Sequence, residues 1–388
     1  MTDTAVTESP RPLRLVIAGG GTGGHVLPAV AVVEEIRRRE LPVEVLWIGG
    51  HTGVERGIAE ANSIPFTAIQ TGKLRRYFAL KTFTDIARIP IGIGQGFAKL
   101  RAFRPDVIFS TGGAVSFPTV FAGSRLAPIL THEQTAQIGV SNKMASRFAD
   151  VFAVAFEETA TLARQRHHRV VVTGNPTRSS ILGGSRKAGL ARYGFTADLP
   201  VLYVTGGAQG ATPINRRLEP LLPELLNDVQ ILHQAGPAAA ENDDVRRMRE
   251  VQATWPEELR RRYHVEEFIR EEIADVYAMS SLVLARAGAG TVAELARIGL
   301  PSILLPLPGT WGDEQRKNAE LLEHAGGATV LRQADTTPEV LREEILKLVR
   351  DPERLSAMGA AASSIGEPNA ASNLLDQLLI LAHRHTGT

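Results

Sequence analysis

Residues 13–25 read LRLVIAGGGTGGH, and residues 201–211 read VLYVTGGAQGA. Each stretch is a short apolar run that breaks into glycines and passes into a segment of helical character. An unbroken run of Val, Ile and Leu is the mark of a strand buried on both faces, as in a parallel sheet covered by helices. The glycines permit positive φ and close backbone approach, and the helix that follows presents free N–H groups to an anion. The second stretch echoes the first close to half the chain's length later. Two Rossmann-like domains, each opening strand, glycine loop, helix, account for the echo.

Outward from these anchors, strands are expected at 43–48, 106–110, 128–131 and 151–155, then at 229–234, 282–285 and 302–305. Helical stretches such as 26–40 and 54–62 lie between them. The alternation predicts an α/β chain with two parallel-sheet domains facing across a cleft. The turn tripeptide Gly174-Asn175-Pro176 predicts the boundary, giving domains over 13–174 and 175–367. The C-terminal segment 368–388 contains an amphipathic helix over 370–385, which either caps the second domain or crosses back onto the first.

Composition narrows the function. The 388 residues are 44% hydrophobic and 22% charged, a normal globular balance, with a net charge of +1. No global basic excess points to nucleic acid, so a nucleic-acid partner is not expected. With no cysteine, thiolate nucleophiles and Cys-based metal sites are excluded. The polar opening MTDTAVTESPRP is not a secretory signal, and no apolar run is long enough to span a bilayer. A soluble, cytosolic chain is the expectation.

The run 19–24 formally matches G-x-G-x-x-G, but a dinucleotide site also needs an acid at the end of the second strand to hold the ribose. That strand ends Trp47-Ile48-Gly49-Gly50-His51, without one. No G-x-x-x-x-G-K-[ST] is present either. Three further loops, 111–113, 206–210 and 286–291, repeat the strand–glycine–helix context. Four such loops suit a diphosphate and a sugar held by backbone donors without a metal. Residues 73–104 carry eight basic side chains against Asp85 alone, interleaved with Tyr77, Phe78, Phe83, Ile91 and Phe97. Basic residues mixed with large apolar ones read as an interfacial patch on an anionic membrane, here Arg75, Arg76, Phe78, Lys81, Phe83 and Arg88.

The ordered set GGGTGGH (19–25), THEQ (131–134), GNPTR (174–178), GGAQGA (206–211), RAGAGTVAE (286–294) and DEQRKNA (313–319) resembles the MurG family of bacterial glycosyltransferases over nearly the whole chain. The resemblance implies the GT-B fold and transfer of N-acetylglucosamine from UDP-GlcNAc to the muramyl sugar of undecaprenyl-linked lipid I, giving lipid II for peptidoglycan. It implies that Ala287, Gly288, Ala289, Gly290 and Thr291 meet the diphosphate, and that Glu294 takes the ribose hydroxyls. Ile269 would line the uracil pocket, Arg178 would approach the phosphates and Gln315 would hold the GlcNAc hydroxyls. Thr22, Gly23, Gly24, Thr135 and Ala208 join the UDP-GlcNAc contacts. Three positions depart from the family pattern: Ala208 replaces a Ser, Thr135 an Asn, and Glu314 the first Gln of a pair.

Inversion at the anomeric carbon requires a base for the acceptor's 4-hydroxyl. His25 leads, with an imidazole near its ordinary pKa of about 6.5; contact with phosphate or acceptor is its other reading, and Glu133 is the second candidate base. No cofactor and no catalytic metal are expected. The implied partners are UDP-GlcNAc, lipid I and the anionic cytoplasmic face of the cell membrane, bound peripherally. A transferase to diacylglycerol and a non-catalytic UDP-sugar-binding scaffold stand as alternatives. UDP-GlcNAc 2-epimerases share the two-domain fold but would not need the basic, aromatic segment.

Overall fold

The computed structural model describes residues 11–72, 80–238 and 243–386. Contacts divide the chain into two units. The first comprises residues up to 134, 138–173 and 371 onward; the second comprises 135–137 and 174–370.

In the first unit, Leu13–Gly19 (β1), Val43–Gly50 (β2), Phe66–Ile69 (β3), Val107–Gly112 (β4), Ile129–Glu133 (β5), Val151–Val154 (β6) and Val170–Val172 (β7) pair in parallel, in the order β3-β2-β1-β4-β5-β6-β7. In the second, Val201–Thr205 (β8), Gln230–Gln234 (β9), Tyr263–Glu266 (β10), Leu282–Ala285 (β11), Ser302–Leu304 (β12) and Ala328–Val330 (β13) follow the order β10-β9-β8-β11-β12-β13. Each order reverses once, between β1 and β4 and between β8 and β11. In open parallel sheets that reversal opens a crevice at the carboxyl ends of the strands, where ligands bind. The four glycine loops follow β1, β4, β8 and β11, so each unit frames its crevice with two of them.

The expected strands all form, within two residues at their ends. The four the sequence reading did not predict are β3, β7, β10 and β13, and each is an edge strand of three or four residues. An edge strand needs no continuous apolar run, because part of it stays solvated.

The strands of the first unit bury Leu15, Ile17, Trp47, Val107, Phe109 and Val151 against Val26, Val30, Val33 and Ile36 of the helix Gly23–Arg38. The same cluster takes Leu374, Leu375, Leu378 and Leu381 from the helix Ala370–Thr386, so that helix completes the first unit. Arg39 pairs with Asp376 at 2.5 Å and fixes its register. Leu378 is fully buried, so Leu378→Ala is expected to cost about 2–5 kcal/mol, read as a lowered urea midpoint. Among the described residues, no helix is long and apolar enough to cross a membrane.

Candidate active site

In the first unit the crevice is built from the loops after β1, β4 and β5. His25 lies on the first turn of the helix Gly23–Arg38, beside the half-buried Gly23 and Gly24 and the exposed Thr22. Its Nδ1 is 2.9 Å from the Thr22 hydroxyl. Burial pushes its imidazole down to about 4, well below the ordinary value expected from sequence. The ring is therefore neutral at physiological pH. If Nδ1–H donates to Thr22, Nε2 keeps a free lone pair for a substrate proton.

Gly112 holds the loop after β4 tight against this histidine. A side chain there would meet Asn142 Oδ1 at 2.9 Å and His25 Cδ2 at 3.1 Å, and the backbone sits at φ 90°. Asn142 is buried, and its Oδ1 has no hydrogen-bond partner among the described residues. Glu133, the last residue of β5, is also buried. Its Oε2 accepts from Gly139 N–H at 2.8 Å and from Asn142 Nδ2 at 2.9 Å. The carboxylate thus ties β5 to the start of the helix Val140–Ala145. Thr135 is buried and donates its hydroxyl to the Gln137 carbonyl.

The second strand ends without an acid, yet one reaches the first glycine loop from beyond it. Glu55, five residues beyond the end of β2, folds its carboxylate back under the first glycine loop and accepts from Gly21 N–H at 3.0 Å. Its position at the start of the helix Glu55–Ala61, outside the strand, hid it from the motif.

In the second unit the helix Ala289–Ile298 starts directly after β11. Its cap, Gly288, contributes no side-chain hydrogen bond. A Cβ at Gly290 would meet open space. The first N–H groups of this ten-residue helix, with Ala287 and Thr291 beside them, form an anion-receptive end. Asn175 Nδ2 donates to the Ala289 carbonyl at 3.1 Å, and Asn318 Nδ2 to that of Ala287 at 3.3 Å. Two buried amides, neither singled out by sequence, therefore fix this turn; both lay in quoted motifs.

One helical turn on, Glu294 is buried. Its Oε2 accepts from the Tyr277 hydroxyl at 2.7 Å and its Oε1 from Arg178 Nη2 at 3.2 Å. Arg178 and Glu294, assigned from sequence to phosphate and ribose separately, here hold each other. Arg178 Nε is buried with no partner among the described residues. Burial, and after it the nearby Glu294 carboxylate, lift the Tyr277 hydroxyl well above its usual range, so it stays a donor. Ile269 is buried, and its N–H donates to Gln234 Oε1 at 3.0 Å. Gln234 Nε2 in turn reaches Thr205 Oγ1 and the Gly207 carbonyl, both at 3.1 Å, linking the Ile269 turn to the loop after β8. Ala208 is exposed on that loop. Gln315 is half-buried and accepts Leu307 N–H through Oε1 at 2.9 Å, which leaves its Nε2 as a donor.

Of the interfacial patch, Arg75, Arg76 and Phe78 lie outside the described residues, as do the side chains of Lys81 and Phe83. Arg88 is exposed on the helix Leu80–Phe103. Further along that helix Ile91 is 54% and Phe97 43% exposed, with Lys99 and Arg101 also in solvent. Among the described residues, no group of three or more His, Asp or Glu is placed to hold a metal ion.

Residues 15–154 match the glycosyltransferase family 28 N-terminal domain, and residues 201–374 match the family 28 C-terminal domain. The fold, with a glycine-framed crevice in each unit, is that of a glycosyltransferase, and the chain belongs to glycosyltransferase family 28. A UDP-N-acetylglucosamine–N-acetylmuramyl-(pentapeptide) pyrophosphoryl-undecaprenol N-acetylglucosamine transferase of Listeria monocytogenes serotype 4a (strain HCC23) is 35% identical over 371 residues, 95% of this chain and 99% of that one. A protein of the same name from Halalkalibacterium halodurans is 34% identical, covering 93% and 98%. The crystal structure of Acinetobacter baumannii MurG superposes with a TM-score of 0.72 at 28% identity, over 95% of this chain and 100% of that one. Within family 28, the chain is a member of the MurG family. The UDP-GlcNAc 2-epimerase of Neisseria meningitidis shares the fold alone, at 16% identity and a TM-score of 0.66.

Proposed function

We propose that this chain is an inverting hexosyltransferase that moves GlcNAc from UDP-GlcNAc to the 4-hydroxyl of the MurNAc sugar of lipid I, giving lipid II for peptidoglycan. The observation that carries the reading is kinship with transferases of that name over 95% of the chain. The cluster of Arg178, Glu294 and Tyr277 beside the open start of the helix Ala289–Ile298 gives it a donor site. On binding, the N–H groups of residues 289–291 take the diphosphate, and Arg178 turns its unpartnered Nε–H to a phosphate oxygen. Glu294 then accepts from the ribose hydroxyls while Tyr277 keeps it oriented. Gln315 faces the GlcNAc hydroxyls. As the bond to UDP breaks, helix dipole and guanidinium stabilise the departing charge. His25 takes the proton from the acceptor hydroxyl, and Glu133 holds the loop beside it.

The test is transfer of radiolabelled GlcNAc from UDP-GlcNAc to a lipid I analogue with EDTA present and diacylglycerol as a parallel acceptor. Transfer to the lipid I analogue alone is the expected result. Transfer only to diacylglycerol overturns the acceptor, and UDP-GlcNAc binding without transfer to either overturns the reaction.

A polyprenyl acceptor stays in the bilayer, so the enzyme works peripherally at the cytoplasmic face, docked through the basic, apolar helix Leu80–Phe103. Exposed Ile91 and Phe97 enter the headgroup boundary while Lys99 and Arg101 face anionic lipid. Replacing Ile91 and Phe97 together with serine is expected to weaken sedimentation with anionic vesicles by about tenfold or more. Affinity for UDP-GlcNAc remains unchanged.

A further inference from the structure

The first glycine loop already holds an anion, supplied by the chain itself. Glu55 is fully buried. Its Oε2 accepts from Gly21 N–H and its Oε1 from Gly50 N–H, each at 3.0 Å, so one carboxylate bridges the loop after β1 and the end of β2. The surrounding backbone is shaped to admit it. A Cβ at Gly20 would lie 2.5 Å from the carboxylate carbon, one at Gly49 2.8 Å from Cγ, and one at Gly53 2.2 Å from Oε2. In a dinucleotide-binding domain the glycine-loop N–H groups face the ligand's pyrophosphate and the acid faces its ribose. Here acid and loop satisfy each other. Thr22 directly follows the Gly21 so held, and His25 opens the helix beyond it.

We infer that Glu55 is a positioning residue for transfer: through Gly21 N–H and Gly50 N–H it ties the first glycine loop to the end of β2 and so fixes the backbone from which Thr22 and His25 project. The kinetic part of this inference rests on the proposed role of His25 at the acceptor hydroxyl. An alanine leaves the buried Gly50 N–H and the part-buried Gly21 N–H unanswered. A glutamine fills the space but turns its NH2 toward one of them.

The experiment compares full-length Glu55→Ala and Glu55→Gln with the parent protein. Hydrogen exchange of peptides covering residues 19–26 and 49–54 reads the loops directly, without any substrate. Calorimetry reads the UDP-GlcNAc Kd, and steady-state assays read kcat and the KM for a lipid I analogue. In Glu55→Ala, exchange in both segments is expected to rise about tenfold or more, and kcat/KM for the acceptor to fall about tenfold or more. The donor Kd stays within about twofold, since the proposed donor contacts Arg178, Glu294 and Tyr277 belong to the second unit. Glu55→Gln falls between parent and alanine. Sodium formate at about 0.1 M, small enough to enter the vacated space, restores part of the lost activity of Glu55→Ala, and sodium chloride at equal ionic strength does not. Unchanged exchange, a donor Kd that weakens in parallel with the acceptor kinetics, or equal effects of formate and chloride would overturn the inference. If the parent protein binds UDP-GlcNAc yet glycosylates no lipid I analogue, the proposed reaction fails, while the exchange result still decides whether Glu55 holds the loop.

Discussion

Replacing His25 with alanine is expected to lower kcat by ~10²–10⁴, the span usual for loss of a general base, with the UDP-GlcNAc Kd unchanged. The pH dependence separates this role from simple phosphate binding. With its pKa pushed down to about 4 by burial, the imidazole is neutral from pH 6 to 8 and cannot offer a phosphate a positive charge. The acid limb of kcat/KM due to this group lies near pH 4, and the profile is flat through the ordinary histidine range. A limb centred near 6.5 would mean that the ring is solvated in the working enzyme and would favour the phosphate-contact role. The shift also carries a sign for stability. The folded chain resists protonation at His25 while the unfolded chain takes up the proton near 6.5. Stability from this group is therefore full above about 6.5 and is lost as pH falls toward 4.

The second large effect falls on the donor site. Glu294→Ala removes the acceptor for the ribose hydroxyls and strands the Tyr277 hydroxyl and Arg178 Nη2 that it holds at 2.7 Å and 3.2 Å. Hydrogen bonds to a charged group are worth about 1.5–3 kcal/mol, so the UDP Kd read by calorimetry is expected to rise about 10- to 100-fold. Arg178→Ala weakens binding too. Because the two side chains touch, the double variant loses less than both single losses together, a coupling on the order of 0.5–3 kcal/mol. Strict additivity would show that the pair parts company in the bound state and that each side chain meets the nucleotide alone.

How far the sequence can be read follows from where each signal is written. The central strands were legible because each carries an apolar run: β1, β4, β8 and β11 lie inside their sheets, and glycine loops follow their carboxyl ends. The edge strands were not, since segments such as Tyr263–Glu266 alternate buried and half-buried residues and offer no run to recognise. The donor residues were found through family motifs, whose spacing preserves one turn of helix between Gly290 and Glu294. Their partners escaped for a different reason. Tyr277 stands on another helix, Ile273–Met279, and Gln234 ends another strand, so only folding brings them to Glu294 and Ile269. Glu55 reaches Gly21 from 34 residues away by the same route. The shift of His25 is equally invisible in a motif, because desolvation depends on what packs around the ring.

The helix Ala370–Thr386 has a bearing on how the protein is made. Translation delivers the first unit's strands early, then the whole of the second unit, and only afterwards Leu374, Leu375, Leu378 and Leu381. The second unit, continuous in sequence apart from residues 135–137, can reach its native state on the ribosome. The first must wait with part of its apolar core uncovered until the final helix emerges. During that interval the older half lacks the four leucines that this helix adds to its core.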